Sequence, residues 1–151
     1  MAAPPQLDLR AFREVVELDP DAPDARWYLS VAGSTALLAA TMQLLAPPVV
    51  EYRGAVLLGF ALDEPTVDQW FERLGDPTAV ERVVNHVHLW DVLPARTSDH
   101  GEAERLVEPL AWFWRVALRE RYPDREFVVD AVRSGDYGPE LTFWQVRPAG
   151  S

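Results

Sequence analysis

The chain has no cysteine, no lysine and no isoleucine, and only one asparagine among its 151 residues. Without cysteine there can be no disulfide, no thiolate metal site and no cysteine nucleophile, and the balance leans towards a cytoplasmic location. The missing lysine and isoleucine read as a GC-rich coding bias that favours Arg, Val, Leu, Ala, Asp and Pro. Against that background each Asn or His carries information. Basic charge is also scarce: the formal net charge is −10. Phosphate-backbone binding needs clustered cations that release counterions, so DNA and RNA are excluded as expected ligands. Gly54, Gly59, Gly75 and Gly101 are isolated, which denies a glycine-rich phosphate cradle. Ser98 and Ser134 lack the glycine-flanked nucleophile elbow, and their contexts read as caps and turns. Residues 1–6 combine neither a basic region nor an apolar core, so they are expected to form a disordered lead and not a signal peptide.

What the chain does have is 48% hydrophobic residues, enough for one core. The expectation is a single domain over 7–148 with a short tail at 149–151. Leu9, Phe12, Val15 and Val16 recur at helical spacing and predict a first amphipathic helix. The acidic loop 19–24 is broken by Pro20 and Pro23, which denies the geometry of an EF-hand. Asp24 reads as a helix cap. No side chain from Trp27 to Val50 is charged, and about 20 apolar residues would suffice to cross a membrane. Ser30, Gly33, Ser34, Thr35, Thr41 and Gln43 dilute that run and Pro47-Pro48 end it, so it predicts a central helix covered on most sides by the domain.

Residues 49–52 and 55–62 predict a hairpin about Arg53-Gly54. Asp63 and Asp76 are expected to cap two further helices, the first stopped by Gly75 and the second led by Pro77. Asp99 and Glu102 have capping-box spacing for a long helix. Its core stripe is expected to be Leu110, Phe113, Trp114, Ala117, Leu118 and Arg121, with Trp112 outside. Residues 127–132 and 141–146 predict a second hairpin, with Val128 and Val132 on one face and Phe127 and Val129 on the other. The sum is an α+β domain: an antiparallel sheet of about four strands from two hairpins, with several helices packed against it.

The lone asparagine opens the run Asn85-His86-Val87-His88-Leu89-Trp90-Asp91. If this run is a strand, His86, His88 and Trp90 share a face. If it is a helix, the two imidazoles point about 200° apart. A metal reading therefore depends on local structure, with His86, His88, Asp91, Asp99 and His100 as candidate ligands of a divalent ion. A partner-binding reading uses other residues. Asp63, Glu64, Asp68 and Glu72, followed by Glu102, Glu104 and Glu108, form acidic faces suited to a basic protein, and Trp112, Tyr137 and Trp144 are candidate interface aromatics.

The order of first helix, Glu81 to His88 block, long Trp-containing helix and closing aromatic hairpin resembles the small acidic immunity proteins of bacterial polymorphic toxin systems. The resemblance implies a non-enzymatic inhibitor that covers the active site of a toxin and needs no cofactor. Two expectations follow. The first is an immunity-like or antitoxin-like inhibitor of a basic protein partner. The second is a small metal-dependent enzyme or metal-binding protein centred on His86 and His88.

Overall fold

The computed structural model describes residues 3–21, 24–93 and 100–148, and the side chain of His100 lies outside the description. Within it are seven α-helices and two antiparallel sheets. The α+β class is as the sequence predicts, but the strands divide into a pair and a triplet. The pair is β1 (Val49–Tyr52) and β2 (Ala55–Leu58), joined by Arg53 and Gly54, both at positive φ. The triplet has the order β3-β5-β4, from β3 (Val87–His88), β5 (Gly138–Gln145) and β4 (Phe127–Gly135).

Local sequence explains most helix boundaries. In α4 (Glu64–Leu74) the Asp63 carboxylate accepts from the Thr66 amide, and Gly75 ends the helix at φ +68°, a conformation glycine adopts without a Cβ clash. In α5 (Pro77–Val84) Asp76 caps the Ala79 amide and Pro77 fills the first turn, where its missing N–H is not needed. The helix α7 (His100–Arg121) runs through Pro109. It lays Val107, Leu110, Ala111, Trp114 and Leu118 on one face of the triplet, against Val129, Leu141 and Phe143. Phe113, expected in that stripe, is exposed, while Ala111 and Val107 take the inward positions.

The uncharged run differs from expectation. It forms two helices, α2 (Ala25–Ala32) and α3 (Thr35–Leu45), because Gly33 stops the first and Ser34 caps the second. Neither contains a buried residue. The end of α3 docks, with Leu44 and Leu45 packed on the core and the Trp114 indole donating to the Leu44 carbonyl, while the half-buried Tyr28 of α2 donates its hydroxyl to Glu14. Leu29, Val31, Leu37, Leu38 and Met42 stay exposed. No described helix is long and apolar enough to cross a membrane. The short helices α1 (Arg13–Leu18) and α6 (Leu89–Val92) complete the set.

The two sheets are joined through side chains. Glu81 and Asn85, one turn apart on α5 and its C-cap, are both fully buried. Glu81 accepts from the Val56 amide of β2 and the Gln145 amide of β5, each at 2.7 Å. Asn85 accepts from the Leu58 amide at 2.9 Å and donates to the carbonyls of Val56 at 2.8 Å and Phe143 at 3.2 Å. These polar groups satisfy the edge of β2 and the stretch of β5 that the two-residue β3 leaves uncovered. Arg147 closes the arrangement with a fork onto both Glu81 oxygens, at 2.7 and 2.9 Å, and a bond to the Gly54 carbonyl at 2.7 Å. The Glu81 hydrogen bonds raise the Arg147 pKa further above its ordinary value.

Arg147→Met should therefore lower stability by about 3–5 kcal/mol, because it strands a buried carboxylate. Arg147→Lys should recover less than half of the loss, since an ammonium cannot supply the fork. Urea unfolding midpoints would check both values, and a loss below about 1 kcal/mol in the first variant would contradict this role.

Candidate metal centre

After α5 ends at Asn85, the chain extends for three residues before α6 begins at Leu89. Extended backbone alternates its side chains, so Val87 enters the core while His86 and His88 project together from the other face of the triplet. The pairing of β3 with β5 puts His88 directly opposite Glu140. On β5, Glu140, Thr142 and Trp144 share that face by the same alternation.

The result is a convergence of three potential ligands, His86, His88 and Glu140. His86 Nε2 lies 3.1 Å from His88 Nε2 and 3.2 Å from Glu140 Oε2, and Glu140 Oε2 is 3.5 Å from His88 Nδ1. The three side chains are 32%, 25% and 22% exposed, which leaves the cluster open to a small molecule. Thr142 Oγ1 sits 2.9 Å from His86 Nδ1 and orients that ring from behind. Tyr137 meets the His88 ring edge-on with centroids 5.0 Å apart, and Trp90 meets Tyr137 at 5.7 Å. The turn beneath this aromatic wall requires glycine: Gly138 is at φ +86°, and a Cβ there would lie 2.6 Å from the Trp90 ring.

Two features of this geometry fit a cation. Donors bound to one ion at about 2.0–2.1 Å and cis to one another are separated by roughly 3.0–3.4 Å, and the 3.1 and 3.2 Å contacts of His86 Nε2 fall in that interval. The proton arrangement is also awkward without one. The two facing Nε2 atoms need one proton between them, and a carboxylate oxygen faces the same point. Meanwhile His88 Nδ1 is buried with no hydrogen-bond partner. A cation between them would take one lone pair each from His86 Nε2, His88 Nε2 and Glu140 Oε2, leaving the proton of His88 on Nδ1.

Of the ligands expected from sequence, His86 and His88 are brought together. Asp91 is not: α6 starts at Leu89 and carries it onto an exposed position outside the cluster. Asp99 and the His100 side chain lie outside the described residues. Glu140, absent from the expected set, is the third potential ligand. It is distant in sequence and reaches the histidines only through strand pairing, so its only sequence signal was a polar residue at an outward position of the closing hairpin.

The expected partner-binding residues have differing local surroundings. Asp63 caps α4, and Glu64 and Glu72 are exposed on that helix. Asp68 accepts from Arg53 at 2.7 Å and from the Tyr52 hydroxyl at 3.0 Å, bonds that hold its carboxyl below the usual range. Glu102 accepts from the Arg13 amide and so ties α7 to α1. Trp112 is half-buried against Phe113, and Tyr137 is exposed beside His88.

Comparison with protein-family models, curated proteins and solved structures finds no match. The resemblance to immunity proteins accordingly rests on sequence order.

The Thr142 contact predicts a fixed ring orientation for His86. Nuclear Overhauser contacts of the His86 ring protons should be those of one rotamer in the wild-type protein and of a mixture in Thr142→Val, where the hydroxyl is replaced at nearly equal volume. Identical spectra would contradict the orienting role.

Proposed function

We propose that the protein is a metal-binding protein whose divalent ion is held by His86 Nε2, a His88 ring nitrogen and Glu140 Oε2. The observation that carries the proposal is the convergence of two imidazoles and one carboxylate at separations suited to a single ion. Two imidazoles with one carboxylate is a donor set used by catalytic zinc and by mononuclear iron(II) centres, both of which keep coordination positions open. With no cysteine in the chain, soft thiolate coordination has no part. When bound, such an ion would polarise a coordinated oxygen as a Lewis acid. The protein's own contribution is to orient the ligands: Thr142 positions His86, strand pairing positions Glu140 against His88, and the Tyr137 and Trp90 rings wall one side.

The test is the metal content of untagged protein purified without chelator. About one ion per chain is expected, falling to background in the His86→Ala/His88→Ala double variant and falling substantially in Glu140→Gln. Zinc at one hundred times its dissociation constant should also stabilise the wild-type fold by ~2.7 kcal/mol through mass action. The absence of both bound metal and any stabilisation by zinc, iron(II) or manganese(II) would refute the reading.

A second reading, an inhibitor of a basic protein partner as the immunity resemblance implies, draws support from a separate observation. Leu29 and Val31 of α2 and Leu37, Leu38 and Met42 of α3 are exposed, and clustered apolar exposure commonly marks a protein contact. Glu64 and Glu72 on α4 supply acidic charge elsewhere on the surface. Under this reading, capture from native lysate should recover a basic protein and Leu37→Glu/Met42→Glu should release it. Capture unaffected by the double variant would count against α2 and α3 as the contact.

A further inference from the structure

The face of the triplet that carries the metal ligands continues past them. Beyond Thr142 on β5 comes Trp144, half-buried, with the Arg82 guanidinium of α5 stacked 4.1 Å above its ring. Two strand residues span about 7 Å, so this stack lies one side-chain step from the Thr142–His86 contact. Among the described residues, Arg82 has no carboxylate partner. Its charge is held over an aromatic plane and remains available to an anion or a second π-system. Asp130 pairs with Thr142 from β4. That strand flanks β5 on the side away from β3 and α5, so its carboxylate does not stand between Arg82 and the histidines.

Building on the metal reading above, we propose that this face is a ligand platform for a planar aromatic acid. The oxyanion of the ligand completes the coordination of the ion held by His86, His88 and Glu140, and its ring system lies against the Trp144–Arg82 stack. Charge complementarity selects this occupant. On a chain of net charge −10, the bound cation and the unpaired guanidinium make one strip of the surface attractive to an anion. The ion's ligands occupy the levels of Glu140 and Thr142 on β5, so the stack at Trp144 lies about 7–14 Å further along the strand, a span that suits a ligand with two fused rings between its charged end and the stack. An aliphatic acid of the same charge would reach the ion but leave the stack empty.

Zinc-loaded protein titrated calorimetrically with 2-naphthohydroxamate and with acetohydroxamate separates these contributions, because both probes present the same chelating group. The naphthyl compound should bind the wild-type protein about tenfold more tightly, the gain expected of a good aromatic contact. In Trp144→Ser and in Arg82→Gln the ratio should fall below about threefold while zinc content stays at the wild-type value; acetohydroxamate affinity should be unchanged in Trp144→Ser and weakened in Arg82→Gln, which removes a positive charge. Two variants are used so that a folding defect in one leaves the other to decide. A wild-type ratio near one, or a tenfold ratio that survives in both variants, would overturn the platform while leaving the metal site standing. If the wild-type protein takes up no zinc, the metal reading fails and the platform falls with it.

Discussion

The structure depends on a buried acid and amide, Glu81 and Asn85, placed between two sheets that never pair directly. Each sheet presents backbone amides and carbonyls towards the other, and burying those groups unpaired would cost about 1–3 kcal/mol apiece. The two side chains on α5 satisfy five such groups. The Arg147 fork neutralises the carboxylate, without which burial of the charge would be prohibitive. The helix thus substitutes for a missing strand: Val56 and Leu58 of β2 share one hydrophobic cluster with the triplet, while Ala55 and Leu57 pack with Val67, Phe71 and Val80 in a second.

That substitution also shapes the site. Asn85 is fixed by three hydrogen bonds to two strands, and His86 follows it immediately. The chain leaves α5 with its direction already set, pairs for two residues with β5, and turns into α6. Only in that short extended stretch can both imidazoles point the same way. The cluster is therefore a consequence of where the clasp ends α5, and Thr142 and Glu140 meet the histidines because the adjoining part of β5 is left free to receive β3.

Much of this was legible in the sequence, where the signal was local. Asp63, Gly75, Asp76 and Pro77 announce helix ends through capping chemistry and do so correctly. The alternation of Val128 and Val129 sorts the faces of β4. The prominence of Asn85 was real, but its role is structural, because its partners are backbone groups from strands far along the chain. Glu140 was hidden for the same reason: a side chain brought in by cross-strand register has no fixed spacing from its partners. The run from Trp27 to Val50 misled in the opposite direction. Its lack of charge suggested burial, whereas Gly33 and Ser34 split it into two helices whose outward faces remain apolar and exposed. Composition reports what a segment tolerates, and packing decides what covers it.

The most direct test of the metal account is X-ray absorption at the zinc edge on protein reconstituted with one equivalent of zinc. The account predicts a first shell of nitrogen and oxygen at about 2.0–2.1 Å, with the outer-shell scattering of two imidazoles. That imidazole signal should be lost in the His86→Ala/His88→Ala variant. A shell of water oxygens without imidazole scattering, or a spectrum unchanged in the variant, would show that the three side chains form a hydrogen-bonded cluster and not a metal site.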